Sequence, residues 1–416
     1  MFFEKTVLAN GVTVLSEAMD AVRSVALGIW FQVGSRDEVP SEGGMSHFLE
    51  HMLFKGTPTR TAAEISETFD RLGGELNAFT SKEYTCYYAR ILDEHVPAAL
   101  EVLADMAVDA SLAEDACTSE REVVLEEISR HEDTPDDRVH ELLAGALWPT
   151  HPIGRPVLGE TVTVGGFDSS AARAFKTDHY VSGNAVVAAA GAVDHDELVA
   201  AVEARLSLPA GPRTPRVASE AVVEPRLALL TKDTEQAHIC WSVAGLHARH
   251  EDRFVLSILD AVLGGGMSSR LFQEIREKKG LAYAVFSYHS LYADTGQFVV
   301  YAGTRPANAE QVVGLIREGV DRVREHGVTA EELHRAKESI KGQLVLGLES
   351  TRNRMTRLGK SEVTHGETLS LDELVERVDA VGLDDVRRLG DGLLSSPPVL
   401  AIIGPFAEEE VAHFLD

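Results

Sequence analysis

The sequence predicts an α+β protein made of two homologous domains. Three observations point there. A proline-rich stretch, RLSLPAGPRTPRVASEAVVEPRL at residues 205–227, interrupts the chain near its middle. Pro209, Pro212, Pro215 and Pro225 let no helix through, so 209–225 reads as a linker between a domain at 1–208 and another at 226–416. The two halves also share a pattern. Residues 69–80 read FDRLGGELNAFT and residues 276–287, displaced by 207, read REKKGLAYAVFS, so that Gly73 falls on Gly280 and Phe79 on Phe286. Each is a helix end, a glycine stop and a strand. Finally, strands and helices mix without strict βαβα alternation, which favours α+β over a doubly wound sheet. The 416 residues are too many for one core and suit two of about 200.

The elements follow in order. Residues 3–15, FEKTVLANGVTVL, read as two short β-runs around Asn10-Gly11, a hairpin signal. This N-terminus lacks a basic leader and a long apolar run, so no secretory signal is expected. No apolar run approaches the ~20 residues of a membrane span, and a cytoplasmic location is the expectation. The stretch SHFLEHMLF at 46–54 reads as a helix. After the stop at Gly73 come a strand, a long helix over 96–109, and a further helix opening at Thr118-Ser119, where Ser119 and Glu122 make a capping box. In the second half a helix persists in FVLSILDAVL at 254–263, followed by helices over 309–325 and from Thr329.

Composition sets limits. A net charge of −27 excludes general nucleic-acid binding, because phosphates need a basic footprint. An acidic chamber drawing basic peptides would fit that charge, although solubility is the plainer explanation. Cys86, Cys117 and Cys240 are scattered, odd in number and without a CxxC pair. They argue for a reducing compartment, and against a disulfide framework or a cysteine zinc site.

The helix at 46–54 carries two histidines and a glutamate within five residues. At roughly 100° per residue, Met45, Phe48, Leu49, Met52 and Leu53 form one stripe, and His47, Glu50 and His51 fall together opposite it. Histidines at i and i+4 can share one metal ion, and Glu50 between them is placed to take a proton from an attacking water. A solvated face with accidental spacing is the bland alternative. Chance H-x-x-E-H in a chain of this composition is expected on the order of 0.05 times, and the pattern is the inverted zinc-peptidase signature. At the displacement of 207, His47, Glu50 and His51 fall on Phe254, Ser257 and Ile258, so the second half keeps the helix and not the ligands. The tripeptide Gly-Met-Ser at 44–46 and 266–268 offers a false alignment, because it breaks the match at Phe79 and Phe286.

A catalytic zinc site takes three protein ligands and leaves the fourth position to water. The third is sought in SEREVVLEEISR at 119–130. Val123, Val124, Leu125 and Ile128 form its apolar stripe, and Glu122 and Glu126 point nearly opposite, toward solvent. Glu120 and Glu127, seven apart, lie on the flank where helices pack. The wheel leaves both open.

HFLEHMLFKGT followed by SEREVVLEEI resembles the pitrilysin/insulinase family of zinc peptidases, in particular the branch of the catalytic subunit of mitochondrial processing peptidase and its bacterial relatives. The resemblance runs through essentially the whole chain, including LGGGMSSRLFQEIREKKGLAYAVFSY. It implies one zinc per chain, held by His47, His51 and Glu127, with Glu50 as general base and Glu120 as an auxiliary glutamate. It implies that Arg276 and Tyr283 of the second domain reach across a clam-shell chamber to stabilise an oxyanion. Asn77, Ala78 and Phe79 match the family's edge strand, which binds extended peptide by backbone hydrogen bonds, and Phe54 suits a pocket for the residue after the scissile bond. Processing peptidase is a heterodimer whose partner carries a long glycine-rich loop. Here LGGGM at 263–267 reads equally as a helix stop, and one chain holds both the zinc motif and the Arg/Tyr pair. A homodimeric zinc metalloendopeptidase acting on short or unfolded peptides is therefore expected. The rival expectations are a non-catalytic scaffold and an auxiliary subunit of the same fold.

Overall fold

The computed structural model describes residues 3–216 and 223–415. The described residues contain two sheets. The first comprises β1 (Glu4–Val7), β2 (Thr13–Ala18), β3 (Ser24–Phe31), β4 (Glu75–Thr80), β5 (Thr85–Leu92) and β6 (Ala185–Gly191), in the order β1-β2-β6-β3-β5-β4. The second comprises β7 (Arg226–Thr231), β8 (Ala237–Ala244), β9 (Ala282–Leu291), β10 (Gly296–Thr304) and β11 (Val399–Gly404), in the order β7-β11-β8-β10-β9. β1 aside, the orders and strand senses agree. β2 runs parallel to β6 as β7 does to β11, and every other pairing is antiparallel. The protein is α+β, with two homologous domains.

The displacement of 207 is the register of that duplication: β4 starts at Glu75 and β9 at Ala282. Gly73 and Gly280 precede them, both at φ +61°, the left-handed conformation that ends a helix at least strain when no Cβ is present. The His/Glu helix, Met45–Leu53, has its counterpart in Arg253–Leu263. Gly44 opens the first of these, whereas 266–268 lies beyond the end of the second, so the Gly-Met-Ser match is indeed spurious. The helices expected at 96–109 and 309–325 are Val96–Asp109 and Ala309–His326. The N-terminal hairpin forms as well, with Val7 opposite Thr13 and Asn10 Oδ1 accepting the Val12 N–H at 3.1 Å.

One helix start was misread. The helix expected from Thr118-Ser119 begins at Glu114 and runs to Glu132, so Ser119 and Glu122 sit inside it and cap nothing. A Ser-x-x-Glu string also suits an exposed helix face. The true start is marked by Glu114 and Asp115, whose charges suit the N-terminal end of the helix dipole. The counterpart at Thr329 behaves as expected: its hydroxyl accepts the Glu332 N–H, and Glu332 accepts the Thr329 N–H.

The chain forms two compact units that are not separated by one cut. The first takes Met1–Arg130, Arg155–Val217 and Gly347–Thr368, and the second takes His131–Gly154, Ala218–Leu346 and Leu369–Asp416. A single division at 209–225 does not contain this exchange, and residues 217–222 of that linker lie outside the described residues. The linker's first part is held against the first unit, where Gly183 N–H donates to Gly211 O at 3.0 Å and Thr214 N–H to Asn184 Oδ1 at 2.8 Å.

The exchange has a packing reason. β3 is buried along nearly its whole length, because both faces of the first sheet are covered. Val25, Leu27, Ile29 and Phe31 face the main core, while Ala26 and Trp30 face Met355, Leu358 and Val363 of the helix Thr351–Thr364. In the second unit the helix Pro135–Leu147 supplies Val139, Leu143 and Leu147 against Cys240, Val299, Ala401 and Ile403. Each sheet thus has one face closed by a helix from the other half of the sequence. No helix among the described residues is long and apolar enough to cross a membrane.

Helix and sheet come close together in the first unit at Gly359, where a Cβ would lie 2.2 Å from the Trp30 ring. Gly359→Ala should destabilise by about 1–3 kcal/mol or more, the range for overpacking a core. Gly342→Ala, in a helix where the new methyl meets nothing within 4 Å, should be neutral or stabilising by about 0.5–1 kcal/mol. Urea midpoints of the two variants check this, and equal midpoints would show that the exchanged helix is not packed on the sheet.

Candidate metal centre

The helix Met45–Leu53 is anchored by its apolar stripe: Met45, Phe48, Leu49, Met52 and Leu53 are all buried in the first core. The opposite face carries His47, Glu50 and His51, and it packs toward the helix Glu114–Glu132 rather than into solvent. His51 Nε2 lies 3.2 Å from His47 Nε2, and Glu127 Oε2 lies 3.6 Å from each. A metal with ~2.0–2.1 Å bonds at tetrahedral angles requires ligand atoms about 3.3 Å apart. These three donors fit such an ion. The wheel's two candidates divide the work: Glu127 completes the triad, and Glu120, buried, accepts from His51 Nδ1 at 2.9 Å. Glu122 and Glu126 are exposed, as expected. Val123 is not part of the buried stripe; half exposed, it lies off the face defined by Val124 and Ile128.

The electrostatics suit metal binding. Burial, and secondarily the neighbouring His51, push the His47 pKa down to about 3, so this imidazole is neutral with a lone pair to give. The bond from His51 Nδ1–H to Glu120 leaves the Nε2 lone pair of His51 directed at the same point. Lys55 pairs with the other Glu120 oxygen and holds that carboxylate in place. Glu50 has its pKa raised by burial, opposed by a hydrogen bond from the Thr80 hydroxyl. Thr80 is the last residue of β4, so the edge strand and the glutamate are joined directly. Sequence reasoning stopped at Phe79, one residue short of Thr80, and passed over Lys55, one turn beyond His51.

The remaining expected residues have definite places. Among the described residues β4 pairs only with β5, at the outer edge of the sheet, and it carries Asn77, Ala78 and Phe79. Ala78 packs toward the main core, while Phe79 packs on Trp30 and Tyr88 on the opposite side of the sheet. Phe54 caps the C-terminal end of the motif helix, half-buried, its ring 6.3 Å from Tyr87. In the second unit the Arg276 guanidinium lies 4.9 Å over the ring of Tyr283, which is 80 % exposed at the start of β9. His47, Glu50, His51, Glu120 and Glu127 are thus brought together in the first unit, and Arg276 and Tyr283 in the second.

Two family models match the chain. One described as insulinase (peptidase family M16) covers residues 13–161, and one described as the peptidase M16 inactive domain covers residues 167–340. A protein of Streptomyces coelicolor named an uncharacterized zinc protease is 44 % identical, over 99 % of this chain and 92 % of its own length. The chain belongs to the insulinase family, M16. Another M16 relative, an uncharacterized zinc protease of Bacillus subtilis, is 44 % identical over 95 % of this chain and 97 % of its own length. Among solved structures, a protease from Helicobacter pylori superposes with a TM-score of 0.88 at 23 % identity, covering 97 % of this chain and 99 % of that one. A peptidase M16 inactive domain protein from Pseudomonas fluorescens gives 0.91 at 21 %, covering 98 % of each chain. These two likenesses concern the fold. The words "inactive domain" suit a second half in which Phe254, Ser257 and Ile258 stand at the positions of the first half's His47, Glu50 and His51.

Zinc uptake should be lost in Glu127→Gln and unchanged in Glu126→Gln, an exposed neighbour on the same helix. Elemental analysis of the two purified variants decides it, and the reverse pattern would overturn the ligand set.

Proposed function

We propose that this M16 chain is a zinc metalloendopeptidase that cleaves short or unfolded peptides bound as an extended strand. The observation that carries the reading is the convergence of His47, His51 and Glu127 on one point, with Glu50 on the same helix face, one turn after His47 and next to His51. Zinc held there supplies Lewis acidity toward a peptide carbonyl and lowers the pKa of water. The outer edge of β4 pairs with the substrate main chain, so sequence selectivity falls to side-chain pockets, and Phe54 suits one for the residue after the scissile bond. Glu50 takes a proton from the attacking water as its oxygen bonds to the carbonyl carbon. It then delivers that proton to the amide nitrogen as the C–N bond breaks. Thr80 holds one Glu50 oxygen, which leaves the other to handle the proton. Arg276 and Tyr283 of the second domain supply the donors for the oxyanion. Because one chain carries the ligands and this pair, it acts without a different partner, as a homodimer.

The second reading, a non-catalytic scaffold, draws on the inactive-domain match over 167–340. Against it stands the first half, whose ligand set and base are complete. Turnover of a quenched peptide by the purified chain, abolished by chelator and restored by zinc, separates the two.

Glu50→Gln keeps shape but cannot act as a base, so activity should fall by ~10²–10⁴ with zinc retained. Zinc lost together with activity would make Glu50 a structural or ligating group instead.

Tyr283→Phe removes one exposed hydroxyl. It should lower kcat by ~10²–10³, as loss of an oxyanion donor does, with zinc content and KM little changed. Full turnover in both Tyr283→Phe and Arg276→Ala would confine catalysis to the first domain.

A further inference from the structure

The motif helix begins in a way that its own residues do not complete. The first N–H groups of any helix lack intrahelical partners, and a side chain at the N-cap usually accepts one of them. Here the N-cap is Gly44, at φ +95°, with no side chain to offer. A capping residue cannot replace it. A Cβ at Gly44 would lie 2.7 Å from Leu158 O and 2.9 Å from Gly159 Cα, and the positive φ would strain any L residue. The acceptor comes instead from Glu38, six residues earlier. Its Oε2 accepts the Gly44 N–H at 2.9 Å and its Oε1 accepts the Ser46 N–H at 2.7 Å.

This carboxylate is almost wholly buried, and burial pushes its pKa up to about 7 against the opposing effect of those two bonds and of Arg155. Its own backbone is tied down. The Arg155 guanidinium donates to the Glu38 carbonyl, and Lys82 Nζ donates to the Arg155 carbonyl at 2.7 Å. Thr163 Oγ1 donates to the Gly43 carbonyl at 2.7 Å, so the approach to the helix is fixed as well.

What this clamp holds is His47. It is the third residue of a nine-residue helix, next to Ser46. His51 has Glu120 to orient its ring. The Nδ1 of His47 is buried with no hydrogen-bond partner among the described residues. The direction of its Nε2 therefore rests on packing and on the backbone turn that carries it, and that turn is the one Glu38 closes.

We infer that Glu38 is a positioning residue for the metal centre: a buried carboxylate that fixes the first turn of the motif helix and so aims His47 Nε2 at the point shared with His51 and Glu127. The inference rests on the proposed reading of those three residues as a zinc site.

The test is zinc affinity of the full chain, measured by competition with a chromophoric chelator. Glu38→Gln keeps the shape but turns one acceptor into an NH₂ facing a backbone N–H. It should weaken zinc by about 10–100-fold, the range for losing a group that supports a metal ligand. Asp194→Ala is the matched control. It removes a cap in the same unit, where Asp194 Oδ1 accepts the Glu197 N–H at 2.9 Å at the start of His195–Arg205, and should leave zinc affinity at the wild-type value. Amide exchange at Phe48, whose N–H closes the first turn on Gly44 O at 2.9 Å, should quicken in Glu38→Gln and not in Asp194→Ala. If Glu38→Gln does not fold, Arg155→Met loosens the same clamp while leaving the carboxylate in place, and should weaken zinc severalfold. Wild-type affinity in the folded Glu38 variant, or in Arg155→Met where that replaces it, overturns the inference, as does an equal loss in Asp194→Ala. A wild-type chain that takes up no zinc overturns the metal-site reading itself, and this inference with it.

Discussion

Two imidazole nitrogens held 3.2 Å apart on a helix of nine residues are the constraint on which the rest of the first unit depends. Two lone pairs at that distance repel unless something positive lies between them. A proton on one neutral ring is one answer, a hydrogen bond between the two, but it leaves Glu127 Oε2, 3.6 Å from each nitrogen, out of the arrangement. A metal ion is a good one, provided that the rings cannot swing away. The apolar stripe prevents rotation of the helix: five large side chains are buried, each worth about 1.5–3 kcal/mol. Glu120 and Lys55 fix one ring, and the helix start fixes the backbone beneath the other. The same stripe brings Glu50 against the end of β4.

The second unit shows what this arrangement is without its chemistry. The sheet order and the helix persist, but Phe254, Ser257 and Ile258 replace the polar triplet. The fold therefore does not need histidines at those positions, and their presence in the first unit serves something other than packing. The exposed Tyr283, stacked under Arg276, is the matching case in the second unit: a large ring left in solvent where a strand could have carried any polar residue.

Much of this was legible because it is local. A face of a helix, a glycine stop and a hairpin turn each follow from a few neighbouring residues, and the 207 displacement follows from adding two such signals. Glu127 and Glu120 were narrowed by periodicity, and only the family spacing could choose between them. What could not be read depends on contacts distant in sequence or on context. Glu38 carries no capping signature, because it acts from six residues upstream, across the 3-10 turn Pro40–Glu42. Ser119 and Glu122 carry that signature and do not use it, since their helix had already begun at Glu114. The helices Pro135–Leu147 and Thr351–Thr364 look like ordinary amphipathic segments, and nothing in either says which sheet it will cover.

That crossing of segments bears on how the protein is made. All the groups of the candidate metal centre lie within the first 130 residues, yet the sheet behind them lacks a cover over Trp30 until residues 351–364 have been synthesised. At about 5–20 residues per second, the ribosome needs roughly 7–30 s to pass from the linker to that helix. During this interval the first unit carries an open apolar face. The peptidase half is therefore not a detachable module, although its ligands suggest one. A chain cut at the linker would keep every group of the metal centre and lose the surface that supports them. Duplication supplied two copies of a fold, and the exchange of one helix each way has made either copy incomplete without the other.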